Sequence, residues 1–268
     1  MKWARKFAAG FLLTLSVACL VPAIFHAPGY AHQFRELPNA PPSRQHWLGT
    51  DDLGRDRCSR LLYGTRVSLL LAPAAALVAS LLAALIGGAA GFLGGWVALV
   101  IMACADLFLS LPWLFLLITV RALLPLNVSP LASVTITFAL LACLGWAAAA
   151  RVVYADTRLL CNSDFILQAR ASGSGGLHLF RHHLLPNILP VLRAQFWVSV
   201  PVFILAEANL GILGLGVAEP MPSWGNLLRE LESYSTLSSS LWQFTPLLLF
   251  IVVVSLFHIV VADQESLA

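Results

Sequence analysis

Apolar residues in this chain fall into six long runs: Phe7 to Phe25, Val67 to Phe92, Trp96 to Val120, Leu131 to Val153, Ile188 to Leu213 and Leu241 to Val261. A helix needs roughly 20 apolar residues to cross the hydrocarbon core of a bilayer, and each run is of that order. The pattern predicts an all-α protein, a polytopic membrane helix bundle of about six transmembrane helices, with both termini on one side. Trp47, Trp96 and Trp242 stand near the ends of runs, where an amphipathic indole suits the interface. Lys2, Arg5 and Lys6 precede the first run, a charge pattern shared with secretory signals. Because further apolar runs follow, residues 1–25 read as an uncleaved first transmembrane helix.

The polar stretches divide the rest. Residues 26–66 form a long loop that opens irregularly around Pro38, Pro41 and Pro42. Asp51 and Asp52 then place acids where a helix begins, with Leu53, Cys58, Leu61 and Leu62 as a partial apolar side. This is either an amphipathic segment on the membrane surface or a solvated loop. Residues 67–268 form the core, interrupted by polar sequence at about 155–187. Within it, Gly91 to Gly95 is a tight connection. Ala83, Ala84, Gly87, Gly88, Ala89 and Ala90 are small enough for helices to approach closely.

Composition supports the membrane assignment and removes several function classes. Hydrophobic residues are 59% and charged residues 11%, against about a quarter charged in soluble domains, and the mean hydropathy is +0.83. The net charge of +3 is spread along the chain and points to no nucleic-acid partner. Basic residues divide evenly between the two sides, so their count does not orient the bundle. The five cysteines form no CxxC pair, so neither a disulfide framework nor a zinc site is indicated. No GxxxxGK[ST], GxSxG or HExxH motif occurs, so no nucleotide hydrolysis, catalytic residue or cofactor is expected of this chain. Adjacent His182 and His183 point in different directions on a helix; they read as part of a basic turn, with no metal site.

Two carboxylates lie inside apolar runs, Asp106 and Glu207. An ionisable group at membrane depth costs at least about 2.5 kcal/mol, so each is expected to face a cavity or a partner within the bundle, or to bond to backbone near an interface. Between the last two runs, Glu219-Pro220-Met221-Pro222-Ser223-Trp224-Gly225 is either a bent segment dipping into the membrane or an interfacial turn anchored by Trp224.

The polar interruption at Asn162 to Asn187 predicts a compact knob. Ser163 or Asp164 caps a short helix, Phe165 to Ser172, which Gly173 ends. After Ser174-Gly175-Gly176, a second, basic helix, Leu177 to Leu185, stops at Pro186. Small residues Ala169, Ala171, Ser172 and Gly173 suit the groove of another protein.

These segments resemble the inner-membrane permease subunits of binding-protein-dependent ABC importers, in the dipeptide, oligopeptide and nickel group. Ala169-Arg170-Ala171, Gly173, His183 and Leu185-Pro186-Asn187 fall where that family has its cytoplasmic coupling loop. Leu48-Gly49-Thr50-Asp51, Gly54-Arg55-Asp56, Ser59-Arg60 and Tyr63-Gly64 are similar to the group's hallmark after its first span. Asp106 with Leu111-Pro112, Leu205 through Gly216, and Pro222-Ser223-Trp224-Gly225 match its later segments, so the resemblance covers about Trp47 to Asp263. The chain departs from the pattern at Leu167, where the family has glutamate, at Gln168 in place of an alanine, and at Tyr154 and Cys161 in place of arginines.

The resemblance implies a type I ABC importer permease fold in a bacterial inner membrane, with residues 26–66 periplasmic. It implies a coupling loop of Asp164, Phe165, Leu167, Gln168, Ala169, Arg170, Ala171, Gly173, His183 and Pro186, and a periplasmic motif of Gly49, Thr50, Asp51, Gly54, Arg55 and Asp56. Its expected partners are a second homologous permease, two cytoplasmic ATPase subunits that carry ATP and Mg, a solute-binding protein and membrane lipid. The expected cargo is a peptide or similar small solute, nickel or a metal chelate included. Two other functions fit the residues less completely: an ion-coupled secondary transporter using Glu207 or Asp106, and a membrane scaffold without transport.

Overall fold

In a computed structural model, which describes residues 2–20, 29–125, 127–232 and 241–262, the first helix is α1 (Lys2–Leu20). Its apolar part, Lys6–Cys19, is shorter than a bilayer crossing, and residues 21–25 of the predicted run lie outside those described.

Asp56 decides where the next helix begins. Its carboxylate accepts from Ser59 N at 2.7 Å and from Ser59 Oγ at 2.8 Å, the N-cap arrangement that satisfies an orphan donor of the first turn. From there α2 (Arg57–Leu93) continues for 37 residues. At 1.5 Å per residue that is about 55 Å, well beyond the roughly 30 Å of a hydrocarbon core. The acids Asp51 and Asp52 do not start the helix. Asp51 Oδ1 accepts from Leu53 N and Arg55 N and closes a turn, because an aspartate side chain competes for nearby backbone donors. Helix initiation therefore falls to Asp56, five residues later, and no separate amphipathic helix precedes α2 among the described residues.

Gly94 and Gly95, both at positive φ, turn the chain into α3 (Gly95–Ser110). The third apolar run then breaks. Pro112 forces Leu111 into extended backbone, φ −88° and ψ 137°, and α4 (Trp113–Leu123) leaves at 87° to α3. One span was expected here; hydropathy stays high across the break, and only the Leu111-Pro112 step marks the bend.

Helices α5 (Pro130–Leu144) and α6 (Trp146–Cys161) are separated only by Gly145 and together pass for one span. The small residues of α2 do what was predicted of them: a Cβ at Gly87 would lie 2.3 Å from the Ala150 carbonyl oxygen of α6, so the two backbones touch. Next come α7 (Asp164–Ala171) and α8 (Gly176–Leu179). The second helix does not stop at Pro186. A π-turn over Phe180–Leu184 leads into α9 (Leu185–Ile212), with Pro186 in its first turn. Leu185 N reaches back to Phe180 O, and a proline with no N–H to offer is tolerated just after this widened turn. After the short α10 (Trp224–Arg229), the last helix is α11 (Thr245–Ala262).

Four helical stretches are long and apolar enough to cross a membrane, or five if the bent pair α3 and α4 is one span. No strand occurs among the described residues, only two isolated bridges in the loop before α2. The main core joins α1, α2, α4, α5, α9, α10 and α11 through Leu117, Leu141, Phe203, Leu210 and Trp224. A second, smaller core of Val153, Cys161, Ile166, Leu179, Leu184 and Ile188 lies beneath α7 and α8.

Candidate functional site

The α7–α8 knob is built on Ile166. This side chain is fully buried in the smaller core, beside Leu184 and Val153. Around it Asp164, Phe165, Leu167, Gln168, Arg170, Ala171 and Gly173 are exposed, while Ala169 and His183 are half-buried. Ser163 occupies the N-cap position without a side-chain capping bond; its hydroxyl donates to the Leu160 carbonyl instead. At the other end Gly173, at φ +84°, lets Ser174 N bond to Ala169 O at 3.1 Å and Gly173 N to Arg170 O at 3.0 Å. These paired bonds are the glycine-dependent C-terminal closure of a helix. Phe92 at the end of α2 meets Phe180 with ring centroids 6.0 Å apart, so the knob touches the longest helix of the bundle directly. Pro186 is exposed at the start of α9.

At the far end of α2 the predicted motif residues fold into a charged clamp. Gly49 and Gly54 sit at positive φ, and a Cβ at Gly54 would lie 2.2 Å from the Phe34 carbonyl oxygen. Thr50 donates through its hydroxyl to Leu37 O, and His46 Nδ1 lies 3.0 Å from Asp56 Oδ1. Arg55 Nε donates to Asp51 at 2.6 Å, and its Nη1 donates to Glu219 at 2.6 Å. Arg60, fully buried on α2, donates to Glu219 at 3.1 Å and to Glu230 at 2.6 Å. The loop before α2 is thus tied by charge to the segment between α9 and α11. Burial favours a raised Glu219 pKa, but Arg60 and Arg55 outweigh it and hold the carboxyl below the ordinary glutamate value. At Glu230 burial prevails over Arg60 and pushes the carboxyl up. The sequence contains each of these residues, but no local signal announces Arg60, Glu219 and Glu230 as partners.

Of the two carboxylates in apolar runs, Glu207 is fully buried and accepts from Ser68 Oγ of α2 at 3.2 Å. Ser68 Oγ also accepts from Trp224 N at 3.3 Å, and Trp224 Nε1 donates to Thr65 at 3.0 Å. Trp224 is itself fully buried. It inserts as a core plug against Phe250, so the segment bends inward and is no interfacial turn. The insertion depends on close backbone contact, since a Cβ at Gly211 would lie 2.4 Å from Gly225 Cα. Asp106, half-exposed on α3, pairs with Arg151 of α6, a partner that sequence reading missed.

Cavities open between the helices among the described residues, two of them near the features above. One, of about 420 Å³, lies at the α3–α4 bend against Pro112, Trp113, Gln195 and Phe203. The other, of about 410 Å³, lies beside the clamp against Arg55, Arg121, Gly216, Glu219 and Arg229. No group of three or more metal-ligating side chains gathers among the described residues.

An apolar bundle, a helix-capped knob resting on its own core, and a charged clamp at the opposite end coincide with the segments that resemble the importer permeases. Comparison with known proteins agrees. Residues 74–263 match the family described as binding-protein-dependent transport system inner membrane component. The dipeptide transport system permease protein of Bacillus subtilis is 32% identical over 220 residues, 82% of this chain and 67% of that protein. The glutathione transport system permease protein of Pectobacterium atrosepticum is 32% identical over 250 residues, 92% of this chain and 81% of the relative. For the nickel transport system permease protein of Escherichia coli the identity is 35% over 235 residues, 87% and 82% of the two chains. With the match spanning most of its helical core, the chain belongs to the inner-membrane permeases of ABC importers, in the group that handles peptides and nickel.

Proposed function

We propose that this chain is the membrane-spanning permease subunit of an ATP-driven importer for peptides or similar small solutes, nickel and metal chelates included. In this reading it lies in a bacterial inner membrane, pairs with a second permease and receives solute from an external binding protein. Two cytoplasmic ATPase subunits bind ATP and Mg, and this chain hydrolyses nothing itself. Residues 1–25 are its first transmembrane helix, residues 26–66 its external loop, and residues 67–268 its core.

The observation that carries the proposal is the α7–α8 knob. Phe165 is 42% exposed and Leu167 50% exposed, at the tip of a helix whose opposite face is locked by Ile166. Large apolar side chains held out on a polar projection suit a groove on another protein. Because α8 continues through the π-turn into α9, and Phe180 touches Phe92 of α2, movement imposed on the knob is passed to two long helices. That connection suits alternation between outward-open and inward-open bundles by differential contact with the ATPase.

The test is co-purification followed by reconstitution in vesicles. Recovery of an ATPase pair and a second permease, with uptake that requires ATP and the binding protein, is the expected result. Isolation of the chain alone with ion-driven uptake would overturn it.

A further inference from the structure

Arg55, Arg60 and Arg121 are buried among the described residues, and the first two are neutralised by Asp51, Glu219 and Glu230. Arg121 is not. It is 1% exposed, yet among the described residues its guanidinium meets only neutral acceptors: Pro125 O at 3.4 Å, Ser133 Oγ at 3.2 Å and Gly216 O at 3.5 Å. Among the described residues its Nε has no hydrogen-bond partner. Charge-assisted bonds from a guanidinium ordinarily run at about 2.7–2.9 Å, so these contacts hold Arg121 in place without saturating it.

The side chain is in the wall of the cavity of about 410 Å³ beside the clamp. Gly214, Gly216, Val217 and Ala218 contribute neutral wall around it, and Arg229 lies over Gly214 with no ion pair among the described residues. Glu219 and Glu230 also line the space, but both are engaged by Arg60; Asp52 is exposed. Acids and arginines are thus equal in number around the cavity, but among the described residues no carboxylate contacts the buried Arg121 guanidinium, and Arg229 stands in the same wall.

We propose that this cavity binds the carboxylate of a small solute, with the Arg121 guanidinium taking its two oxygens and Arg229 closing over them. A planar carboxylate fits the fork of a guanidinium in a way that a spherical anion does not. A carboxylate would give the buried guanidinium the acidic partner it lacks among the described residues. The proposal rests on the transport reading only for the origin of the carboxylate, a solute in transit.

The experiment uses the full-length chain, with its second permease where the two co-purify, in lipid nanodiscs. Sodium acetate and L-alanyl-L-alanine are titrated by calorimetry and by ligand-observed NMR, with L-alanyl-L-alanine amide as the control. Expected are competing binding by acetate and the dipeptide, and at least tenfold weaker binding of the amide. Arg121→Gln should lose at least tenfold in affinity, and Arg121→Lys less. Should Arg121→Gln fail to fold, Ala218→Glu provides the second arm: a resident carboxylate in the wall should displace acetate while the melting temperature holds. Undiminished acetate binding in Arg121→Gln or Ala218→Glu overturns the proposal. So does absence of acetate binding in the unsubstituted protein, including the case in which Arg121→Gln releases the second permease because that subunit supplies the acid. ATP-driven uptake without carboxylate binding would sink this inference alone, whereas carboxylate binding without ATP-driven uptake would sink the transport reading alone.

Discussion

Arg60 Nη2 lies 2.6 Å from Glu230 Oε1, a bond between positions 170 residues apart. The arginine is fully buried and the glutamate mostly so. Together with Glu219 and Arg55 it fastens the start of α2 to the segment that follows α9. Trp224, between the two acids in sequence, is thereby held at its insertion point next to Thr65 and Ser68. The clamp and the buried Glu207 network are therefore two levels of one joint between α2 and α9.

Arg60→Met should destabilise the protein by about 3–5 kcal/mol, because removing one member of a buried ion cluster strands the others. Glu219→Gln should cost under about 1 kcal/mol, since that side chain is half-exposed and water replaces much of what it loses. Unfolding midpoints in mild detergent would rank the two. Equal losses would show that the clamp does not act through the buried arginine.

The two clamp glutamates should give stability pH dependences of opposite sign. Glu219 is held below its unfolded value, about 4.3 for glutamate, so its contribution is complete above that pH and is lost as the pH falls through the folded value. Glu230 is raised, so its contribution is complete below about pH 4.3 and is lost as the pH rises through its folded value. Glu219→Gln should flatten the acid limb of an unfolding-versus-pH curve, and Glu230→Gln should flatten the decline on the other side. A curve unchanged by both substitutions would exclude the clamp as its source.

Much of the helical architecture was readable because membrane helices are announced by length and apolarity, which need no knowledge of partners. What escaped was relational or hidden in uniform sequence. The 87° bend at Leu111-Pro112 falls inside a run that passes as one span on hydropathy, so hydropathy is blind to it. Pro186 reads locally as a stop, but a first-turn proline gives up no bond that the helix needs, and the chain continues into α9. Arg60, Glu219 and Glu230 were each visible, but pairing across about 160 residues leaves no periodic trace. The knob was the reverse case. Its two turns are set by neighbours such as Gly173 and Ser174, so its outline could be drawn locally, while the buried role of Ile166 required the core beneath it.

Gly211→Ala should be among the most damaging small substitutions in the chain. The added methyl would meet Gly225 Cα at 2.4 Å, and since the obstacle is backbone rather than a movable side-chain end, relief requires α9 and α10 to separate. Overpacking of this kind costs about 1–3 kcal/mol, and here it also withdraws Trp224 from its seat. Gly175→Ala, with nothing within 4 Å, should stay within about 0.5 kcal/mol of the parent. Thermal unfolding followed by tryptophan fluorescence reads both. A Gly211→Ala variant as stable as Gly175→Ala would mean that the α9–α10 contact is looser than described.

Adjacent positions on α7 separate holding the knob from using it. Ile166 is fully buried and Leu167 is half-exposed, so truncation acts on different quantities. Ile166→Ala removes the anchor from the smaller core and should cost about 2–4 kcal/mol, seen as faster proteolysis around residues 162–176. Leu167→Ala touches no core and should leave the unfolding midpoint within about 0.5 kcal/mol of the parent, yet lower ATP-driven uptake in reconstituted vesicles by weakening the docked surface. Leu167→Glu introduces the acid that the family resemblance leads one to expect here, without altering the buried face; it should keep stability and raise ATP-driven uptake. If Leu167→Ala and Leu167→Glu both leave uptake unchanged while stability holds, the exposed face of α7 is not where the ATPase acts. If Leu167→Ala instead lowers stability as much as Ile166→Ala, the division of α7 into an anchored and a presented face is wrong.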